Sequence, residues 1–115
     1  TLFRSLGEQM ANDFLVGKGY EILYRNYRFQ KAEIDIIAKK NGVLAVVEVK
    51  SRSSDALQEI AETVNQKKMQ LMVLAADHYV TDNDMDIEVR FDIITLLKKG
   101  NTFKIEHITD AFYYF

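Results

Sequence analysis

The stretch that decides the fold is residues 33–50, which read EIDIIAKKNGVLAVVEVK. Two runs rich in β-branched residues flank the dipeptide Asn41-Gly42. Asn-Gly between such runs is the strongest short-range signal for a hairpin with a two-residue turn. The segment therefore predicts two antiparallel strands in which Lys40 pairs with Val43.

Counting outward from that turn gives the cross-strand partners. Asp35 faces Glu48, Glu33 faces Lys50, and Ile37 faces Val46. Because strand side chains alternate between faces, all six are expected on one side of the sheet. Two directly opposed carboxylates are destabilising without a cation. A hard divalent ion such as Mg²⁺, which prefers carboxylate oxygens, is the natural candidate.

The same residues allow other interpretations. Charges at the end of a hairpin often form only a solvated surface, and Glu33 with Lys50 could be an ordinary ion pair. A longer loop with a one-residue slip would send Asp35 and Glu48 to opposite faces. One observation argues against a merely solvated surface. Glu48 and Lys50 continue the apolar stripe of Leu44 and Val46, and burying charges on such a stripe is unfavourable unless a partner compensates them.

The rest of the chain predicts two helices and three more strands. A first helix carries Leu6, Met10, Ala11, Phe14 and Leu15 at helical spacing and ends near Gly17 and Gly19. A long second helix is marked by Leu57, Ile60, Ala61, Val64, Leu71, Met72, Ala75 and Tyr79, before an acidic loop, 81–86. The other strands are predicted at 20–28, 87–97 and 102–108. The order αβββαββ predicts an α/β fold, a mixed sheet flanked by helices.

Composition narrows the class of protein. With 115 residues, 48% of them hydrophobic, the chain suits a single domain spanning residues 1–115. It has no cysteine, which fits a reducing cytoplasm, and shows neither a membrane span nor a signal-peptide pattern. The net charge of −2 argues mildly against nucleic-acid binding, but residues 1–52 carry a net +3 and residues 53–115 a net −5.

Several blocks together resemble a known family. They are Gly7-Glu8, Arg25-Asn26-Tyr27-Arg28, residues 33–37, residues 47–52 and Arg90-Phe91-Asp92. Their order and spacing look like the YraN-type family of bacterial proteins. Glu33-Ile34-Asp35 followed by Glu48-Val49-Lys50 resembles the signature of the PD-(D/E)XK nuclease superfamily, with spacing similar to that of archaeal Holliday junction resolvases. One departure is Ala32, where the family usually has glycine.

The resemblance implies a restriction-endonuclease-like fold and a role for each motif residue. Asp35 and Glu48 would bind Mg²⁺ or Mn²⁺, and Lys50 would assist the attacking water or stabilise charge on the phosphate. Glu8 would supply a third acidic group from the first helix. The alternative for Glu8 is a capping box with Ser5, in which it touches no metal.

Contacts to DNA are predicted more weakly. Arg25, Arg28 and Arg52, with Tyr24 and Tyr27, could grip the backbone and stack on bases, although such surface strands are common without a ligand. Lys67 on the second helix is assigned to DNA contact. Asp92 is explained by an ion pair with Arg90, and both histidines are expected to be structural.

The leading hypothesis is a metal-dependent endonuclease that hydrolyses DNA phosphodiester bonds, with branched or repair intermediates among its substrates and a homodimer as its assembly. The alternative is a catalytically silent nucleic-acid-binding or scaffolding domain that keeps the nuclease fold. A third hypothesis is a protein-interaction domain. Weak DNA binding that does not depend on salt concentration would favour it.

Overall fold

A computed structural model describes residues 2–53 and 66–111 of the chain. The elements are α1 (Leu2–Gly17), β1 (Glu21–Phe29), β2 (Ala32–Lys40), β3 (Val43–Ser53), α2 (Gln66–Asp82), β4 (Glu88–Lys99) and β5 (Thr102–Ile108). The predicted order αβββαββ is confirmed. The predicted beginning of the second helix, with Leu57, Ile60, Ala61 and Val64, lies outside the described residues, as does the aromatic tail 112–115.

The five strands form one mixed sheet in the order β1-β2-β3-β4-β5. Strands β3 and β4 are parallel, and the other three neighbouring pairs are antiparallel. A parallel pair needs a long connection between its strands, and α2 lies within that connection. The fold is therefore α/β and compatible with a restriction-endonuclease-like architecture.

The turn between β2 and β3 has the geometry that its sequence requires. Asn41 and Gly42 both have positive φ, 51° and 76°, as a type I′ turn demands. The pairing runs from Lys40 with Val43 to Ile36 with Val47. The predicted register is confirmed over these pairs, and the one-residue slip is excluded.

Helix α1 ends where the glycines predict. The Tyr20 amide donates to the Leu15 carbonyl and the Gly19 amide to the Val16 carbonyl, while Gly19 has φ 92°. This is a Schellman motif with glycine in the left-handed position. At the other end α1 begins at Leu2, so Ser5 lies inside the helix. The capping-box interpretation of Ser5 and Glu8 is wrong, because the helix starts a turn earlier than that box would require.

The two described helices cover opposite faces of the sheet. One core cluster joins α1 to Ile36, Ala38, Ala45, Val47, Ile94 and Leu96. The other joins α2 to Ala32, Ile34, Ile37, Leu44, Val46 and Phe91. Successive residues of β3 enter different clusters, which shows that the clusters lie on opposite faces. Within residues 2–53 and 66–111, no helix combines the length and apolar character needed to cross a membrane.

Candidate metal centre

Strands β2 and β3 separate at Asp35. Their pairing ends at Ile36 and Val47, but β2 stays paired with β1 as far as Ala32, and β3 stays paired with β4 as far as Ser53. In the gap, Oδ2 of Asp35 accepts a hydrogen bond of 2.8 Å from the backbone amide of Val49. A side-chain oxygen thus takes the place of a strand carbonyl where the two strands separate, a point that we call the β2–β3 fork. The Asp35 carboxylate is held there and is 5% exposed.

The alternation of side chains breaks at the same place. Ile34 lies in the α2-side core and Ile36 in the α1-side core, although residues two apart share a face in a regular strand. Opposite this break, Asn26 of β1 has φ 56°. The prediction that Glu33 shares a face with Ile37 is therefore wrong, because Ile34 and Ile37 lie in the same core. The prediction that Ile37 pairs with Val46 is confirmed.

Three carboxylates meet at this fork. Glu8 of α1, Glu33 and Asp35 each offer an oxygen, and these oxygens lie within 4.8 Å of one another. We call these three residues the acidic cluster. Two oxygens bound to one Mg²⁺ at about 2.1 Å are at most about 4.2 Å apart, so inward shifts of well under an ångström would close the set around an ion. The hard oxygen donors and their spacing fit Mg²⁺ or Mn²⁺.

A glycine brings Glu8 to the cluster. Gly7 is buried where α1 crosses β3, and a Cβ there would overlap the hydroxyl of Ser51 and contact Leu96. The absence of a side chain therefore lets the first turns of α1 lie close against the sheet. Because Glu8 is the next residue along the helix, its position depends on this close approach.

Glu48 lies beside the acidic cluster and is bound by two lysines. Its Oε1 is 2.8 Å from Nζ of Lys68 on α2 and 3.3 Å from Nζ of Lys50. Glu48 is 4% exposed, and in the described part of the chain it is not a member of the close carboxylate group. The two ammonium groups compensate the charge of this buried carboxylate.

The two lysines differ in how the site changes their pKa. Burial lowers the pKa of Lys50, and the nearby positive charge of Lys68 adds to that effect against the opposing charge of Glu48. Burial also acts to lower the pKa of Lys68, but its hydrogen bond to Glu48 and the charges of Glu48 and Asp35 raise it overall. Lys50 is therefore the lysine that gives up its proton more readily.

A pocket of about 220 Å³ opens onto the cluster between β2 and α2. Glu33, Asp35, Lys31 and Lys68 give it polar walls, and Ala32, Leu71 and Met72 give it an apolar floor. Carboxylates and ammonium groups thus share one cavity. An anion that enters would meet cations at the rim and reach the carboxylates only with a metal ion between them.

The residues predicted to contact DNA lie in different surroundings. Nη1 of Arg25 donates to Oε1 of Gln9 on α1, and Nη1 of Arg52 donates to the carbonyl of Ser51. Nε of Arg28 is 2.8 Å from Oε2 of Glu33, a member of the acidic cluster. Lys67 is exposed on α2.

Sequence reasoning did not identify two residues of the site. Glu33 was given an ion pair with Lys50, but the structure places it in the acidic cluster. Lys67 was chosen from its helix, whereas its neighbour Lys68 contacts Glu48. Regular strand alternation predicted Glu33 on the side of Asp35, but it did not distinguish a metal ligand from a partner of Lys50. Lys67 and Lys68 both lie close to the apolar stripe of the second helix, and which of them reaches the site depends on the rotation of α2, which packing decides.

A further buried carboxylate, Asp92 on β4, has purely structural partners. Asp92 is fully buried and accepts two hydrogen bonds from Arg90, at 2.8 Å each, and one from the backbone amide of Asp110. Nε2 of His107 lies 2.8 Å from Oδ2 of Asp92. Burial acts to raise the pKa of Asp92, but the bonds to His107 and Arg90 lower it overall. The predicted Arg90–Asp92 ion pair is confirmed.

Comparison with known proteins places the chain in a family. The pattern of the uncharacterised protein family UPF0102 matches residues 7–96, which is most of the chain and includes every member of the acidic cluster. The chain belongs to the UPF0102 family. The resemblance to YraN-type proteins is thereby confirmed at the level of the family.

Individual UPF0102 relatives are similar over nearly their whole length. UPF0102 protein FP2501 of Flavobacterium psychrophilum is 52% identical over 109 residues, covering 95% of this chain and 92% of the relative. A UPF0102 protein of Christiangramia forsetii is 50% identical with the same coverage. A third, from Parabacteroides distasonis, is 49% identical over 107 residues, covering 93% and 88%.

Proposed function

We propose that this UPF0102 protein is a metal-dependent endonuclease that hydrolyses phosphodiester bonds in DNA. The observation that carries the proposal is the acidic cluster at the β2–β3 fork, which faces a pocket shared with Lys31 and Lys68. Carboxylates for a divalent ion and ammonium groups for a phosphate are the two components that metal-assisted phosphodiester hydrolysis needs. The resemblance of the motifs to the PD-(D/E)XK nucleases supports the same assignment.

Each residue of the site has a proposed task. Asp35, Glu33 and Glu8 would hold Mg²⁺ or Mn²⁺, and Glu48 would act from the adjoining strand, either as a further ligand or through a bridging water. A bound ion would lower the pKa of its water and polarise the phosphate oxygens. Lys68 holds Glu48 in place, since it reaches that carboxylate from α2.

Lys50 is suited to handling the proton of the attacking water. Burial lowers its pKa, so its amine form is reached more easily than that of a surface lysine. The Lys50 amine would take a proton from the water as the water oxygen forms a bond to phosphorus. The bond from phosphorus to the leaving oxygen breaks, and that oxygen takes a proton from solvent. In its ammonium form Lys50 instead stabilises the negative charge that develops on the phosphate.

DNA is the proposed partner, and branched DNA the substrate that the resolvase resemblance favours. Arg25, Arg28, Arg52 and Lys67 are the proposed backbone contacts, and a homodimer would let two sites act on two strands of a junction. The net charge of +3 over residues 1–52 supports contacts to phosphate on that part of the chain.

The test is cleavage of labelled linear, single-stranded and four-way-junction DNA with Mn²⁺, with Mg²⁺ and with chelator. Asp35→Asn, Glu48→Gln and Lys50→Met should each reduce cleavage by roughly 100-fold or more, since each removes a group that acts on the reacting atoms. Lys104→Ala is the matched control, because Lys104 pairs with Glu106 on β5 and is 61% exposed. It should cut like the wild-type protein.

Two results would reject the nuclease assignment. If the wild-type protein cuts none of these substrates with either metal, or if folded site variants cut as well as Lys104→Ala, the site has no catalytic role. DNA binding that persists without cleavage would then favour the silent binding or scaffolding domain.

A further inference from the structure

Arg28 connects the acidic cluster to the outer edge of the sheet. It pairs directly with Glu33 across β1 and β2, and its Nε is 2.8 Å from Oε2 of that carboxylate. Strand β1 is the edge strand, and the Arg28 side chain is 78% exposed. One part of the guanidinium therefore touches the proposed metal site while most of the side chain faces solvent.

This ion pair is easily exchanged. Glu33 is 25% exposed, so both partners are accessible to water. Exposed ion pairs contribute little to stability, because water and salt screen the attraction and two flexible side chains must be ordered. A stronger anion at the sheet edge could therefore draw Arg28 away at small cost. A phosphodiester is such an anion, and guanidinium groups bind its oxygens with two parallel hydrogen bonds.

The same ion pair opposes metal binding. Glu33 provides one of the three oxygens of the acidic cluster, and a guanidinium on that carboxylate neutralises charge that a divalent ion would use. A positive charge this close also repels the ion itself, whichever Glu33 oxygen it contacts. Arg28 thus competes with the ion for Glu33 as long as no phosphate is present.

We infer that Arg28 links DNA binding to metal binding. In the free protein it holds Glu33, and a backbone phosphate of DNA transfers it from Glu33 to the nucleic acid, which releases the carboxylate for the ion. This inference rests on the proposed function and adds to it an order of events, with DNA binding preparing the metal site. By thermodynamic linkage, the bound ion must in turn strengthen DNA binding by the same factor.

The experiment measures Mn²⁺ affinity by calorimetry and by the electron paramagnetic resonance of free Mn²⁺, without DNA and with a short duplex. Lys50→Met serves as the background for the DNA measurements, so that the duplex is not consumed. Without DNA, Arg28→Ala should bind Mn²⁺ about fivefold tighter than the same protein with Arg28 intact, which we call the parent. A fivefold change corresponds to the largest free energy that an exposed ion pair typically contributes. With DNA the two should bind Mn²⁺ about equally.

Two further variants sharpen the measurement. Arg28→Lys keeps the positive charge but loses the planar set of N–H donors. Without DNA, its Mn²⁺ affinity should lie between those of the parent and Arg28→Ala. Lys104→Ala removes another exposed cation from a different ion pair and should leave the Mn²⁺ affinity unchanged. Because this control also removes one positive charge from the protein, it separates the effect of the contact with Glu33 from the effect of total charge.

The outcomes distinguish this inference from the proposed function. If the parent binds Mn²⁺ and DNA but Arg28→Ala binds Mn²⁺ equally or more weakly, the competition is absent and the inference fails alone. If the parent binds neither, the proposed function fails with it. A DNA-induced gain in Mn²⁺ affinity as large in Arg28→Ala as in the parent would also overturn the inference.

Discussion

Asp92 on β4 and Asp35 in the acidic cluster are both buried carboxylates, but their surroundings neutralise them differently. Asp92 has Arg90 on one side, His107 and the Asp110 amide on the others, and no exposed surface. The acidic cluster brings together three carboxylates next to an open pocket. The cations near it include an exposed arginine on Glu33, the lysine pair on Glu48 and Lys31 in the pocket wall.

The difference separates a carboxylate that the fold itself neutralises from a group that is suited to bind a cation. Around Asp92 the chain supplies every hydrogen bond, so folding alone satisfies the group. At the β2–β3 fork three carboxylates lie close together, and their mutual repulsion costs stability unless cations compensate it. Strain of this kind is common at functional sites, where it is part of the mechanism.

The largest expected effect is the loss of the Asp92 network. Asp92→Ala leaves Arg90 without its carboxylate and removes the anchor of His107, so the free energy of unfolding should fall by about 3–5 kcal/mol. Urea denaturation followed by circular dichroism measures this loss. A change below about 1 kcal/mol would mean that the network contributes little and that the comparison with the acidic cluster is invalid.

Mn²⁺ bound at the acidic cluster should raise the free energy of unfolding of the protein, by slightly less than the loss expected for Asp92→Ala. At 100 times its dissociation constant, an ion that binds only the folded state adds about 2.7 kcal/mol to the free energy of unfolding. Asp35→Asn should abolish this gain. Without metal it should change stability by less than about 1 kcal/mol, because the amide oxygen can still accept from Val49 and one repulsive charge is gone. Thermal unfolding with and without Mn²⁺ tests both statements.

Gly7→Ala should weaken metal binding through the position of Glu8. The new methyl group overlaps the Ser51 hydroxyl, so either that hydroxyl rotates away or α1 moves outward. Outward movement would displace Glu8 and lower the Mn²⁺ affinity by up to about tenfold, as when a supporting residue of a metal site is changed. Gly17→Ala is the matched control, since nothing lies within 4 Å of its added carbon. Equal Mn²⁺ affinity in the two variants would show that Glu8 does not depend on the close approach.

The smallest expected effect is on how protein stability depends on pH, and it comes from Asp92. This effect is absent near neutral pH and develops as the solution becomes acidic. The pKa of Asp92 is lower in the folded protein than the ordinary carboxyl value of about 3.9, so its contribution to stability is complete above that value. The contribution is lost as the pH falls through the folded pKa. Urea midpoints between about pH 6 and pH 2 should therefore fall less steeply for Asp92→Asn than for the wild-type protein. Parallel curves would contradict the assignment.

Much of the fold followed from local patterns. Asn41-Gly42 predicted a turn and, with it, the pairing of Ile37 with Val46, because a two-residue turn fixes the register of a hairpin. The limits of β5 were predicted to the residue, and those of β2 within one residue. The end of α1 was predicted because Gly19 readily adopts the left-handed conformation that ends a helix.

The site was predicted less completely. Residues 33–50 indicated Asp35, Glu48 and Lys50, but regular alternation was assumed across Asp35, where the strands in fact separate. Asn26 has a positive φ opposite this break, and nothing local to 33–50 reports on a neighbouring strand. The sequence allowed Glu8 either a metal ion or a capping box with Ser5, and the start of α1 at Leu2 removes the capping box.

The sequence by itself determined the order of elements, the β2–β3 register and the presence of two charged motifs on one hairpin, since turn chemistry and hydrophobic period are local properties. Only the tertiary structure decided which carboxylates meet. Glu8 reaches β2 because α1 packs on the sheet at Gly7, and Lys68 reaches Glu48 because α2 packs on the opposite face. Such contacts join residues far apart in sequence, and they depend on how whole helices are positioned on the sheet.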